Sequence, residues 1–239
     1  MPLPKIATPT YELELPSTRK PIHYRPFLVK EEKLLVLALE SEDIKEKTTA
    51  IKNVIKSCVK TRGIKVENLP TFDIEYLFLN IRGKSVGEDI EVNLICPDDG
   101  TTQVPVTISI DDVKIQRSEE HTNKIKLDPT LMMEMKYPSL SEFIKNNFDF
   151  NEQNVMDQSF EMIASCIDKI YNEEEVWATA DCTKKEITTF LESMNTNQFK
   201  EIEKFFETMP KLSHKVKITN PNTKVESEVV MEGLSSFFG

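Results

Sequence analysis

Two stretches of this chain repeat one pattern, and the repeat constrains the fold more than any other feature. Ile74, Leu77, Phe78 and Ile81 recur as Ile202, Phe205, Phe206 and Met209, at a constant offset of 128 residues. Val92, Leu94 and the turn Cys96-Pro97-Asp98-Asp99-Gly100 recur as Val216, Ile218 and Asn220-Pro221-Asn222-Thr223-Lys224, at an offset of 124. Spacing by three and four puts the first set on one face of a helix. Alternation puts the second set on one face of a hairpin arm. The difference in offset makes the second linker four residues shorter.

The turn resembles a zinc knuckle, Cys-Pro-x-Cys-Gly, that has lost its cysteines. A structural zinc site takes four Cys or His ligands. The corresponding positions here carry Cys96, Asp99, Asn220 and Thr223. One thiol and one hard carboxylate make a poor zinc site, so neither a bound metal nor any cofactor is expected. The pattern points to a structural or recognition module.

Other chemistry is sparse. His23, His121 and His214 lie far apart, with no metal-ligand partner at fixed spacing. Gly83-Lys84-Ser85 lacks the upstream glycine and the preceding strand of a phosphate loop. Asp98-Asp99 and Asp111-Asp112 are adjacent pairs, which point to opposite faces of a strand and do not converge. No catalytic residues are expected, and the chain is read as no enzyme. An enzymatic site assembled from distant residues would require a buried, titrating carboxylate or histidine in a cleft.

Composition bounds the rest. With 39% hydrophobic and 29% charged residues, the chain reads as an ordinary globular protein. A net charge of -10 argues against a nucleic-acid surface spread over the fold. No apolar run approaches the ~20 residues of a membrane span, and no secretory signal pattern opens the chain. Cys58, Cys96, Cys166 and Cys182 form no C-x-x-C pair, and reduced thiols are expected.

Along the chain, residues 1–29 read as a proline-bounded arm, with Tyr11, Leu13 and Leu15 alternating on one face. Leu34 to Leu39 is apolar all round and predicts a buried helix. Ile51, Val54, Ile55, Cys58 and Val59 predict a second. Residues 88–137 predict a hairpin and a small inserted sheet. Ser139-x-x-Glu142 and Thr183-x-x-Glu186 are capping boxes. Between them, Met156, Phe160, Ile163, Ile167 and Ile170 predict one long amphipathic helix. Phe237 and Phe238 pack on the core or anchor a partner. Tyr11, Leu13, Leu15, Phe237 and Phe238 are therefore the interaction candidates.

These elements predict an α+β fold, with helical segments packed against two related β-hairpins that form degenerate zinc-knuckle-like repeats. The expected parts are the arm (1–29), helices with the first hairpin and small sheet (30–138), and helices with the second hairpin and aromatic tail (139–239). The last two are open to packing as one domain.

Several segments resemble the baseplate hub assembly proteins of T-even-like contractile-tailed bacteriophages. They are Phe27 to Leu35 followed by Ala38-Leu39-Glu40-Ser41, Arg82 to Gly87, Met209 to Leu212, and Gly233-Leu234 with Phe237-Phe238. Some relatives in that family carry true Cys-Pro-x-Cys knuckles, from which Asp99, Asn220 and Thr223 depart. The resemblance implies tail morphogenesis through contacts with other baseplate hub or tail proteins. Neither nucleic acid nor membrane would be a partner. The implied location is the host cytoplasm during assembly, or the virion baseplate. The alternative is a degenerate zinc-ribbon-like adaptor binding nucleic acid or a transcription factor.

Overall fold

A computed structural model of the chain describes residues 6–41, 43–140, 155–233 and 236. Its elements run β1 (Tyr11–Glu14), β2 (Pro21–Tyr24), α1 (Val29–Glu40), α2 (Ile44–Cys58), α3 (Thr71–Val86), β3 (Asp89–Ile95) and β4 (Gln103–Ser109). They continue β5 (Lys114–Gln116), β6 (Lys124–Lys126), β7 (Met132–Met135), α4 (Val155–Cys166), β8 (Ile167–Tyr171) and β9 (Val176–Ala178). The last are α5 (Lys184–Glu192), α6 (Thr196–Thr208), β10 (Lys211–Thr219) and β11 (Glu226–Glu232). The fold is thus mixed α and β, with small antiparallel sheets.

The chain divides into two compact units: residues 1–66, 72–116 and 211–239, and residues 67–71 and 117–210. The sequence boundary near residue 138 falls inside the second unit.

In the first unit, β3 and β4 pair with Val92 opposite Val106 and Leu94 opposite Val104. β10 lies between β11 and β5. The inward residues of both hairpins share one core: Ile90, Val92, Leu94 and Ile108 lie with Val216, Ile218 and Met231. Leu79 of α3 is buried in the same cluster. Apolar residues on all sides of α3 fit its position, since Phe72, Ile74, Leu77, Phe78 and Ile81 are buried as well. Burial of such side chains stabilises by roughly 1.5–3 kcal/mol each. Asp73, fully buried in the first turn of α3, accepts from the Ser17 amide at 2.9 Å and from its hydroxyl. The β1–β2 turn is thereby fastened to that helix.

In the second unit, the sheet order is β6-β7-β8-β9. Its core joins Ile125, Met133 and Ile167 to Ile163 of α4, Leu191 of α5 and Ile202 and Phe205 of α6. Two capping boxes start α5 and α6. Thr183 exchanges hydrogen bonds with Glu186 as expected, and Asn195 does so with Gln198.

Four expectations change. The long helix ends at Cys166, and Ile167 and Ile170 stand on strand β8. The Cys166 carbonyl accepts from the Lys136 amide at 2.7 Å, which ends the helix against the sheet, and Ile170 then pairs with Met133. The strands of 88–137 join three different sheets, because β5 pairs with β10 and β7 with β8. The helix at Leu34 to Leu39 is not buried all round, since Leu34, Val36 and Leu37 are half exposed. The side of α1 that packs inward carries Glu31, whose carboxylate meets the Arg25 guanidinium at 2.9 Å and the Leu28 amide at 2.8 Å.

The fourth concerns the repeat. The helix and hairpin of the first copy, α3 from Phe72 onward with β3–β4, lie in one unit. In the second copy, α6 and β10–β11 fall in different units. Two residues separate helix from strand in each copy, so the loop does not carry the four-residue difference. Instead, α3 runs on past Ile81 to Val86, whereas α6 stops at Thr208, before Met209. In part β10 offsets this by starting earlier relative to Val216 than β3 does relative to Val92. The Ser139 box and Phe143-Ile144 beyond it involve positions outside the described residues.

Candidate functional site

The two hairpin turns have matching backbones. Gly100 donates to the Cys96 carbonyl at 2.9 Å, and Lys224, at the corresponding position, donates to the Asn220 carbonyl at 2.9 Å. Both donors take the left-handed conformation, with φ of 66° and 63°. Glycine adopts it without cost, whereas lysine does so only when held there.

These turns meet side chain to side chain. The Asn220 amide is 1% exposed. Its Nδ2 donates to both Asp98 oxygens at 3.1 Å and to Asp99 Oδ2 at 2.9 Å. Its Oδ1 accepts from the Asn222 amide at 2.8 Å and the Thr223 amide at 3.3 Å. The Thr223 hydroxyl donates to Asp98, and Asn222 Nδ2 donates to Thr102 Oγ1 at 3.0 Å. Asp99 also accepts from the Thr101 and Thr102 amides at 3.0 and 2.9 Å.

Each carboxylate is therefore surrounded by donors. Bonding from Thr223 and then Asn220 holds the Asp98 carboxyl below the ordinary range. For Asp99, the Thr102 hydroxyl leads, followed by the Thr101 and Thr102 amides and Asn220, and its carboxyl is held far lower. Cys96 is buried at 1% exposure beneath the clasp, where burial pushes its thiol up.

Of the four knuckle positions, Asp99, Asn220 and Thr223 thus enter one hydrogen-bonded clasp, and Cys96 lines the core under it. Asp98 is the carboxylate that sequence reasoning missed, and the Asn222–Thr102 contact was missed with it. The signal for Asp98 was the polar spacer position of the knuckle, which looked like solvated turn. Among the described residues, no three His, Cys, Asp or Glu side chains are grouped to hold a metal ion.

The interaction candidates are dispersed. Tyr11 is half-buried, with its ring centroid 5.9 Å from that of Tyr24 and the Lys84 ammonium over its face. Leu13 is half-buried, whereas Leu15, at 1% exposure, belongs to its own core. Phe237 and Phe238 lie outside the described residues.

His121 is half-buried. Its Nδ1 lies 2.9 Å from Thr208 Oγ1 and its Nε2 lies 3.0 Å from Tyr137 OH, with the Phe205 ring 5.3 Å away. Burial, then the charge of Arg117, lowers its pKa. Its partners are two hydroxyls, with no carboxylate bonded to it among the described residues, and its ring packs at the edge of the core against Tyr137 and Phe205. A surface groove along α5, lined by Lys185, Glu186, Thr189, Phe190 and Ser193, contains none of these groups. Among the described residues, no helix is long and apolar enough to cross a membrane.

A family model described as T4 bacteriophage base plate protein matches residues 8–239. No curated protein and no solved structure matches the chain.

Proposed function

This chain belongs to the T4 bacteriophage base plate protein family, and we propose that it acts in building the baseplate hub, as an assembly factor or a structural subunit. The observation that carries this reading is the extent of the family match, which takes in both units and both hairpins. The clasp supports a structural role, because its polar groups are turned toward one another rather than toward a ligand. In this reading the chain works through protein–protein contacts, without catalysis, metal or nucleic acid. It acts in the host cytoplasm during tail assembly, on other hub or tail proteins.

The same reading treats the turns as degenerate knuckles. Their shared backbone and left-handed fifth residue support a common origin, with a hydrogen-bonded clasp where a metal would sit.

The reading is tested by disrupting the gene in the phage and imaging lysates by electron microscopy. Complete heads without assembled tails are the expected product, together with baseplate intermediates that lack the hub. Normal tails in the absence of the protein would exclude a hub role.

A further inference from the structure

Helix α1 carries more exposed large apolar side chains than any other element among the described residues. Val29 is 80% exposed, Leu34 51%, Val36 50% and Leu37 55%. Val29, Lys33, the adjacent pair Val36 and Leu37, and Glu40 follow one another at steps of three or four, so they form one stripe along the helix. An exposed apolar stripe of this kind is the usual mark of a partner surface.

The charges on the stripe say which partner. Lys33 and Glu40 are both exposed, and neither has an ion-pair partner among the described residues. They are seven residues apart, two turns, and cannot pair within the helix, where partners stand three or four apart. A parallel neighbour of the same kind would set Lys33 against Lys33. An antiparallel copy satisfies both charges at once. A two-fold axis between Val36 and Leu37 lies about one turn from each charge. It places Lys33 of either copy opposite Glu40 of the other, with Val36 and Leu37 packed between the two ion pairs. Such self-complementarity is what a two-fold interface requires.

We propose that the α1 stripe is the seam of an antiparallel dimer of this chain. The seam is short, about 18 Å for a helix of this length. A single helix seam of that length is smaller than the ~800 Å² per partner of a standard interface, so a weak, reversible dimer is expected. The inference is independent of the hub reading, because it is measured on the purified chain with no other phage protein present.

The test is sedimentation equilibrium of the full chain from about 1 to 300 µM, the range in which weak, reversible association is read. Wild type is expected to pass reversibly from monomer to dimer. Lys33→Glu sets like charges together and is expected to weaken the dimer at least tenfold. Lys33→Glu combined with Glu40→Lys restores the pairing, to within about threefold of wild type. Leu37→Asp is expected to weaken it at least tenfold as well. All of these positions are exposed, so thermal unfolding by circular dichroism should match wild type and confirm that the variants are folded. A chain that stays monomeric throughout overturns the proposal and leaves the stripe to a different protein. So does a dimer indifferent to Leu37→Asp, or a double charge swap as weak as the single reversal.

Discussion

Replacing Asn220 by alanine removes the centre of the clasp without touching the apolar core beneath it. The side chain is buried at 1% exposure and makes three contacts to two carboxylates through Nδ2 and two to backbone amides through Oδ1. A hydrogen bond to a charged group is worth about 1.5–3 kcal/mol, and a neutral one about 1 kcal/mol. The contacts share one side chain and do not add fully. The expected loss is therefore about 3 kcal/mol, or roughly 6–12 °C in the thermal midpoint at this size. Lys224, held in the left-handed region by its bond to the Asn220 carbonyl, keeps that bond because it is made to backbone. The hairpin should therefore survive while its turn loosens. Calorimetry of wild type and Asn220→Ala measures the midpoint shift. Asn220→Asp, which sets a third carboxylate against two, should be worse still at neutral pH. A shift below about 2 °C for Asn220→Ala, or an aspartate that behaves like wild type, would refute the view that the clasp stabilises the paired turns.

Acid should act on the same contacts. The Asp98 and Asp99 carboxyls are depressed in the folded state, so their stabilisation is complete above the ordinary carboxylate range and is lost as pH falls through their folded values. The thermal midpoint should decline between about pH 5 and pH 2, and the Asn220→Ala variant should show a shallower decline. In the second unit, Phe205→Ala empties a buried site flanked by the Tyr137, His121 and Phe206 rings and should cost about 3–5 kcal/mol. Denaturant titration followed by fluorescence of Trp177, the chain's single tryptophan and a residue of that unit, measures it. Thiol labelling should distinguish the cysteines. Burial pushes Cys58 up to about 11, and Cys96 and Cys166 are buried, so Cys182 should react first with a thiol reagent at pH 8 and the other three only on unfolding.

Much of the fold was legible because alternation and helical spacing depend only on local backbone geometry. Val92 and Leu94, and Val216 and Ile218, announced their hairpins, and the offset of 124 between them announced matching turns. What escaped was set by partners distant in sequence. Ile167 and Ile170 fit a helical stripe equally well, and the competing pull of β7 comes from Met135 and Met133, more than a full helix length earlier in the chain. Leu34 to Leu37 reads as interior because it is apolar, yet apolarity does not say whether the covering surface lies in the same chain. In the clasp, the sequence placed Asp99, Asn220 and Thr223 at ligand positions. It could not show Asp98 turning inward to accept from Asn220, since that contact joins residues 122 apart in the chain. The division of the second helix–hairpin copy between two units had no local signal at all.

The most direct test of the hub reading is affinity capture of the tagged protein from infected cells, with mass spectrometry of assembly intermediates and finished particles. Hub or tail proteins are expected with it in the intermediates. Recovery from finished particles would mark it as a structural subunit, and its loss from them as an assembly factor. Intermediates and particles in which no tail protein accompanies it would contradict the reading.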